Sequence, residues 1–249
     1  MSKPMRPHTI TPANSAITSH ETSAPMIPAR MENRDQTESL FEHVAWLYAF
    51  FREHLFRDDT NRMIAALWPS GQPTSGTELI EFGCGPGFYS RRLAEPFPQI
   101  SVTGIDRSEN QLRWARERAS AIRLSNCLFE CVNVLQLPCG DARFDALIAS
   151  RLFTVLPEPN RAIAEMYRVL KPGGRCFVAE PRYAFWASIP LFAMWLLAGV
   201  MHSGNGYREP QKATVFSASA FENLFTAQPW KQIKTWQDGR YQYALCEKA

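Results

Sequence analysis

Three glycines at alternate positions follow a short apolar run. Residues 79–88 read LIEFGCGPGF, so Gly83, Gly85 and Gly87 separate that run from a helical pattern that begins at Phe88. Glycine permits a sharp turn and a close approach of backbone to ligand, while the N–H groups that open the next helix face the same ligand. The pattern predicts a binding loop. A dinucleotide fingerprint would place its third glycine at Phe88, so the spacing disfavours a nicotinamide cofactor.

An acidic residue follows the second apolar run. Asp106 ends the segment 102–106 and is predicted to lie at the carboxyl end of a strand, beside the glycine loop. A carboxylate at that place can accept hydrogen bonds from both hydroxyls of a ribose. Because Ser108 follows closely, a helix cap is the alternative role for Asp106. Together the loop and the carboxylate favour a ligand that contains a nucleoside.

The elements that must position these residues alternate between short apolar runs and amphipathic segments. This alternation predicts an α/β fold, a parallel sheet with helices on both faces. The predicted strands are 78–82, 100–105, 127–132, 144–149 and 174–179, and the helices between them are 88–94, 109–121 and 160–170. Ser108 and Gln111 have capping-box spacing, and the KPGG sequence at 171–174 ends a helix. Apolar residues at helical spacing over 40–68, with a break near 57–60, predict two helices before the sheet.

Composition excludes several classes of function. The chain has 249 residues, of which 45% are hydrophobic, enough for one full-sized core. With 27 basic and 24 acidic side chains the net charge is +3, which disfavours a nucleic-acid binder. The six cysteines form no CxxC pair and lie near no histidine cluster, so neither a zinc site nor another metal site is predicted. Without a secretory signal, we expect a cytoplasmic protein with reduced cysteines.

The chain divides into a tail and one domain. Residues 1–34 are rich in Pro, Ser and Thr and are predicted to be a disordered tail, although Met26 and Met31 are also possible starts. Residues 35–249 are predicted to form a single domain. Its parts are N-terminal helices at 35–68, a ligand-binding core at 78–181, an apolar insert at 182–215, and a closing helix with strands at 216–249.

From about Leu79 to its end the chain resembles the class I S-adenosylmethionine-dependent methyltransferases. Residues 81–87 are similar to the first motif of that family, and Asp106 occupies its ribose-binding acidic position. Residues 144–149 resemble the fourth strand, and RVLKPGG at 168–174 resembles the turn before the fifth. The resemblance implies a Rossmann-like, doubly wound, seven-stranded sheet, mostly parallel with an antiparallel last strand and helices on both faces. It also implies S-adenosyl-L-methionine as the cofactor.

The resemblance assigns cofactor-binding roles by position. The residues concerned are Glu81, Gly83, Gly85, Gly87, Asp106, Arg107, Asn133, Val134 and Ser150. The glycines and the serine would lie near the methionine part of the cofactor, Glu81 would organise the loop, and Asp106 would hold the ribose. Arg107 and Val134 would flank the adenine. Asn133 stands where the family usually has an acidic residue for the adenine, and an amide oxygen can still accept from the adenine amino group.

The methyl acceptor is less well marked. A sulfonium methyl group is already electrophilic, so alignment and exclusion of water do most of the work and a dedicated catalytic residue need not exist. His202 and Tyr207 are the candidates for a general base, followed by Glu180, His43 and His54; for each histidine a capped or solvated side chain is the alternative. The sequence ASRLF at 149–153 lacks the Asn/Asp-Pro-Pro-aromatic pattern of adenine or glutamine amino methylation.

An uncharged stretch follows the predicted fifth strand. No Lys, Arg, Asp or Glu occurs from 183 to 207, and 183–201 is nearly all apolar, close to the length that spans a bilayer. Spanning is disfavoured because the chain must return to complete the sheet and because Pro190 interrupts the stretch. Three alternatives remain: a lid helix, an apolar wall for a lipophilic acceptor, and shallow membrane contact through Trp186 and Trp195.

The insert makes the chain similar to the branch that includes ubiquinone and menaquinone C-methyltransferases. We therefore expect a transferase that methylates a small, hydrophobic molecule at oxygen, carbon or nitrogen. We expect peripheral membrane contact, if any, through 183–201, and no specific protein partner. A non-catalytic S-adenosylmethionine-binding protein that uses the insert to bind a partner is the alternative function, and a nicotinamide-dependent reductase is a second one.

Overall fold

The structure is a computed structural model that describes residues 45–54, 56–184, 192–193 and 214–249. Within them, seven strands form one sheet: β1 (Glu78–Phe82), β2 (Ser101–Asp106), β3 (Cys127–Cys131), β4 (Phe144–Ser150), β5 (Leu170–Pro181), β6 (Trp230–Asp238) and β7 (Tyr241–Lys248). The helices are α1 (Ala45–His54), α2 (Thr60–Leu67), α3 (Phe88–Ala94), α4 (Glu109–Ala121), α5 (Pro159–Val169) and α6 (Ala218–Phe225).

The strand order is β3-β2-β1-β4-β5-β7-β6. The first five strands are parallel, and β7 pairs antiparallel with both β5 and β6. This is the doubly wound, seven-stranded sheet that the sequence predicted. The order reverses between β1 and β4, because the chain first builds outward through β2 and β3 and then returns. In open α/β sheets such a switch point is where ligands bind, outside the carboxyl ends of the strands.

The central strands are apolar because both faces of the sheet are covered. Leu79, Ile80 and Phe82 of β1 are fully buried, as are Leu147 and Ile148 of β4. Burial on both faces produces continuous apolar runs rather than alternation, which is why these strands stood out in the sequence. The resulting core fixes the backbone up to the last residue of each strand, and the loops beyond that edge are free to carry ligand-binding groups.

The KPGG segment differs from its prediction. We expected it to end a helix before a strand at 174–179, but α5 ends at Val169 and β5 already begins at Leu170. Pairing with β4 shifts between Phe144 opposite Leu170 and Ala146 opposite Arg175, so the segment forms a bulge at the start of the strand.

A buried carboxylate fixes the segment between α1 and α2. Asp59 is 2% exposed, and its Oδ1 accepts a hydrogen bond from the Tyr243 hydroxyl of β7 at 3.1 Å. The same oxygen lies 3.1 Å from Nε of Arg57 and 3.3 Å from Nε of Arg62. Burial raises the pKa of Asp59, while Tyr243 and the two arginines act in the opposite direction. The N-terminal helices are thereby tied to the antiparallel end of the sheet.

Replacing Asp59 by alanine is expected to destabilise the fold by roughly 2–4 kcal/mol, because it leaves a buried tyrosine hydroxyl and two arginines without their shared acceptor. Chemical denaturation with urea measures the change. Asp238→Ala is the control, since Asp238 binds the same two arginines with a side chain that is 43% exposed. The urea midpoint of Asp238→Ala should stay close to that of the wild type, because exposed ion pairs contribute little to the free energy of unfolding. Equal losses in the two variants would contradict this role of Asp59.

Candidate cofactor and acceptor site

The glycine loop leaves β1 in a left-handed backbone. Gly83, Gly85 and Gly87 have φ of 69°, 52° and 70°, values that cost other residues about 1–2 kcal/mol each. The N–H of Cys84 donates to the carbonyl of Ile105 at 2.9 Å, which holds the loop against the end of β2. The loop therefore bends over the carboxyl edge of the sheet at the switch point.

The first and last glycines of the loop have different surroundings. A Cβ on Gly83, which is half-buried, would lie 2.9 Å from Cδ1 of Leu152, at the end of a flexible side chain. A Cβ on Gly87 would lie 2.6 Å from the Phe129 ring and 2.8 Å from Cβ of Ala115. Gly87 is thus required for close packing of the loop against β3 and α4. Its contact with a ligand stays a prediction.

Asp106 joins the loop to the start of α4. Its Oδ2 accepts the N–H of Gly85 at 2.8 Å, and its Oδ1 accepts the N–H of Ser108 at 2.9 Å. The N-cap of α4 is Ser108, whose Oγ accepts the N–H of Gln111 at 3.2 Å. The structure thus places the cap on Ser108. The carboxylate of Asp106 is half-buried at the carboxyl end of β2, beside the glycine loop.

Glu81 lies beneath the loop. It is 3% exposed, and its Oε2 accepts both the N–H of Ser90, at 2.8 Å, and the Ser90 hydroxyl. Burial raises the pKa of Glu81 to about 7, against the opposing effects of Ser90 and Arg52. These contacts tie β1 to α3 and fit the predicted role in organising the loop. Direct contact with a cofactor stays a prediction for this residue.

The remaining predicted cofactor residues lie at the same edge. The pairing of Asp106 with Cys131 sets the end of β3 beside β2, and Asn133 and Val134 follow β3. Asn133 is half-buried, and its Oδ1 already accepts the N–H of Leu135 at 3.0 Å, which leaves one lone pair and the amide donors. Val134 is 3% exposed.

The other two predicted residues follow β2 and β4. Arg107 is exposed directly after β2. Ser150 is half-buried at the end of β4, opposite Ala179 of β5. Their roles beside the adenine and the methionine end of the cofactor stay predictions.

Only two of the candidate general bases, His54 and Glu180, lie within the described residues. His202, Tyr207 and His43 lie outside the described residues. His54 is exposed at the end of α1, where its ring lies 4.9 Å from that of Phe50. Glu180 is 1% exposed at the end of β5. The carboxyl group of Glu180 is therefore too buried for direct proton transfer to a ligand.

Two arginines near the site were not predicted from the sequence. Arg52 of α1 is 5% exposed, with its guanidinium 3.9 Å from the centre of the Phe88 ring, directly after the glycine loop. Arg151, after β4, has φ of 58°, stacks over Phe56 at 4.2 Å and donates to the Tyr241 hydroxyl at 3.1 Å. Neither side chain belongs to a local motif, because their partners come from distant parts of the chain.

Comparison with known proteins decides the family. Residues 73–240 match the family described as "Methyltransferase domain". The chain belongs to that family. The demethylmenaquinone methyltransferase of Listeria monocytogenes is 34% identical over 118 residues, which are 46% of this chain and 50% of the relative. The chain therefore spans about half the length of the curated relatives it matches.

Solved structures show the same fold. An S-adenosylmethionine-dependent methyltransferase from Aquifex aeolicus superimposes with a TM-score of 0.56 at 16% identity, over 80% of this chain and 96% of that one. The (4+2)-cyclase SpnF superimposes with a TM-score of 0.58 at 22% identity, over 76% and 79%. A cyclase thus shares this fold, so the fold alone does not define the reaction.

Membership of the methyltransferase-domain family implies S-adenosylmethionine as the cofactor, and the residues present fit it. Three of the five loop residues at 83–87 are glycines, so most of this loop can approach a ligand at the switch point through its backbone. The half-buried Asp106 carboxylate accepts one backbone N–H on each oxygen beside this loop, and a carboxylate at this place can also accept from ribose hydroxyls. Asn133 offers amide groups for an adenine. Among residues 45–54, 56–184, 192–193 and 214–249, no cluster of three or more His, Cys, Asp or Glu is placed to hold a metal ion.

Proposed function

We propose that this chain transfers a methyl group from S-adenosylmethionine to a small, hydrophobic acceptor. The observation that supports it most is the position of the Asp106 carboxylate, which orients the glycine loop through Gly85 at the ligand-binding edge of the sheet. The family match over residues 73–240 supports the same assignment. The proposal covers acceptors that are methylated at oxygen, carbon or nitrogen.

The cofactor supplies an electrophilic methyl group on a sulfonium when it is bound. The chain's own contribution is to hold the ribose through Asp106, to keep the loop rigid through Glu81 and Ser90, and to present an acceptor beyond Ser150. Alignment of two bound reactants converts a bimolecular reaction into an effectively unimolecular one, which can account for much of the acceleration. Exclusion of water from the site would protect the transfer.

The hydrophobic character of the acceptor is supported by three observations. No charged residue occurs from 183 to 207, next to the end of β5. The relative from Listeria monocytogenes is named for a demethylated menaquinone, a lipophilic molecule. Tyr183 and Phe192, at the described positions of this insert, are 49% and 53% exposed. An apolar wall for the acceptor is the use of the insert that we favour.

Incubation with methyl-labelled S-adenosylmethionine tests the function. A set of detergent-solubilised quinols and phenols and a set of polar metabolites are offered separately, with Asp106→Ala as the control protein. We expect labelled product from the lipophilic set with the wild type and none with the variant. Product from polar metabolites alone would contradict the lipophilic acceptor. Cofactor binding without product from either set or from a cell extract would favour the non-catalytic alternative.

Membrane contact through 183–201 is a further part of the proposal. In the described part of the chain, no helix has the length and apolar character needed to cross a bilayer. Shallow contact would instead follow from Trp186 and Trp195 at a membrane interface. Co-sedimentation with liposomes measures it, and a protein that stays in the supernatant at every lipid concentration would contradict it.

A further inference from the structure

Two buried polar side chains face each other where β5 ends and β7 begins. Glu180 pairs directly with Gln242 in the antiparallel ladder, and each residue is 1% exposed. Directly opposed residues of antiparallel strands project from the same face, with Cβ atoms about 4.5–5.5 Å apart. A carboxyl group and an amide group are therefore neighbours within the interior, at the edge of the sheet where ligands bind.

Each of these side chains also holds a segment that borders the acceptor side of the site. Oε1 of Glu180 accepts the N–H of Phe153 at 2.8 Å, in the turn after β4. Nε2 of Gln242 donates to the carbonyl of Phe216 at 3.0 Å, just before α6. The two segments are joined by the N–H of Thr214, which donates to the carbonyl of Thr154 at 2.9 Å. The pair thus anchors the turn at 151–154 and the returning end of the insert at 214–217.

One side-chain oxygen of each residue has no hydrogen-bond partner among the described residues. Within the described part of the chain, Oε2 of Glu180 and Oε1 of Gln242 are inaccessible to solvent and have no hydrogen-bond partner. If Glu180 is ionised, both atoms are acceptors and neither can satisfy the other. Buried acceptors without donors are costly. A single proton on Glu180 turns one acceptor into a donor and can satisfy both atoms together.

We propose that Glu180 carries a proton in the folded protein and donates it in a hydrogen bond to Oε1 of Gln242, so that a neutral acid–amide pair positions the two segments around the acceptor. Both are positioning residues, since neither is exposed to a ligand. The importance for an acceptor rests on the proposed function, whereas the proton itself does not. Deprotonation would leave both of these buried oxygens without a donor and loosen the anchor.

The groups that face Glu180 act in opposite directions. Arg151, after β4, and the N–H groups of Leu152, Phe153 and Thr154 favour the ionised carboxylate. Burial disfavours it more strongly, and the pKa of Glu180 is raised to about 7. Because this value lies above the ordinary pKa of glutamate, the stabilising contribution is fully present at low pH and is lost as the pH rises through about 7. The pair should therefore be intact at about pH 6 and broken at about pH 9.

Infrared spectroscopy of the wild type and Glu180→Gln tests the proton directly. Glutamine keeps the size of the protonated acid, can accept from Phe153 and can donate to Gln242, so the variant should fold. At about pH 6 the wild-type spectrum minus the variant spectrum is expected to contain one carboxylic-acid carbonyl band, which disappears by about pH 9. The raised pKa of Glu81 is common to both proteins, so its band cancels. A difference spectrum with only carboxylate bands at pH 6 would overturn the proposal.

Hydrogen exchange tests the anchoring. After correction for intrinsic rates, the amide of Phe153 in the wild type should lose protection between about pH 6 and pH 9, while Glu180→Gln should show no such loss. Gln242→Leu, which removes the acceptor, should move the acid band to higher frequency. The same pH response in wild type and Glu180→Gln would contradict the role of the proton. These measurements use no acceptor, so their failure leaves the methyl-transfer assay unaffected, and failure of that assay leaves the proton pair intact.

Once an acceptor is identified, the pH dependence of its KM distinguishes a positioning role of the pair from an effect on overall stability. The KM of the wild type for the acceptor should rise above about pH 7, whereas that of Glu180→Gln should not depend on pH in this range. The affinity for S-adenosylhomocysteine should follow the same pH curve in both proteins. A parallel rise of KM in both would contradict positioning through this pair.

Discussion

Asp106→Ala is expected to weaken the binding of S-adenosylhomocysteine by at least ~100-fold. The substitution removes the proposed acceptors of the ribose hydroxyls, and hydrogen bonds to a charged group are worth about 1.5–3 kcal/mol each. Two such bonds amount to roughly 3–6 kcal/mol, and every 1.4 kcal/mol is about tenfold in affinity. The N–H of Gly85 also loses its acceptor, which loosens the glycine loop. Titration calorimetry measures the affinity, and thermal unfolding with and without the ligand provides a second readout.

Two controls separate binding from folding. Ser108→Ala removes the N-cap of α4 and should cost about 1 kcal/mol of stability without changing the affinity. Methylthioadenosine retains the ribose but lacks the amino-acid arm, so Asp106→Ala should weaken its binding by a similar factor. An Asp106→Ala protein that binds S-adenosylhomocysteine like the wild type would contradict the assigned site. Loss of affinity in Ser108→Ala alone would instead point to the helix start.

The second large effect is expected at the end of the loop. Gly87→Ala should destabilise the protein by roughly 2–5 kcal/mol. A left-handed backbone costs an alanine about 1–2 kcal/mol, and overpacking adds about 1–3 kcal/mol. The overpacking arises because the new Cβ would lie 2.6 Å from the Phe129 ring. Urea denaturation, with the slope and midpoint both recorded, measures the change.

Gly71 provides a matched control for this prediction. Its φ is +83°, yet a Cβ there would meet nothing within 4 Å. Gly71→Ala should therefore carry only the backbone cost of about 1–2 kcal/mol. The difference between the two variants isolates the collision with Phe129 and Ala115. If both variants lose the same stability, close packing is not the reason for glycine at position 87.

The parts of the fold that local patterns mark could be predicted closely. The bounds of β1, α3 and α4 agree with the sequence prediction, because a glycine loop and a serine cap fix the helix starts. The start of β5 at Leu170 was missed, because a bulge in the pairing with β4 is a property of two strands and not of the KPGG sequence.

In the candidate site, too, residues in local patterns could be predicted, whereas contacts between distant parts of the chain could not. The placement of Gly83, Gly85 and Asp106 at the edge of the sheet could be predicted because they end or follow recognisable strands, whereas their contacts with a cofactor stay predictions. The clamp between Asp59 and Tyr243 joins residues 184 positions apart, and no local pattern indicates it. Glu180 was predicted only as a weak general base, because its partner Gln242 becomes its neighbour through the return of the chain into β7. Its burial and its pairing across the sheet, which the sequence does not display, are the observations from which we propose a positioning role instead of proton transfer.

The most direct test of the account is a calorimetric titration of the purified, folded wild-type chain with S-adenosylhomocysteine and, separately, with NADH. We expect saturable one-to-one binding of S-adenosylhomocysteine, weakened by at least ~100-fold in Asp106→Ala, and no heat of binding with NADH. Binding of NADH, or no uptake of S-adenosylhomocysteine by well-folded protein, would contradict it.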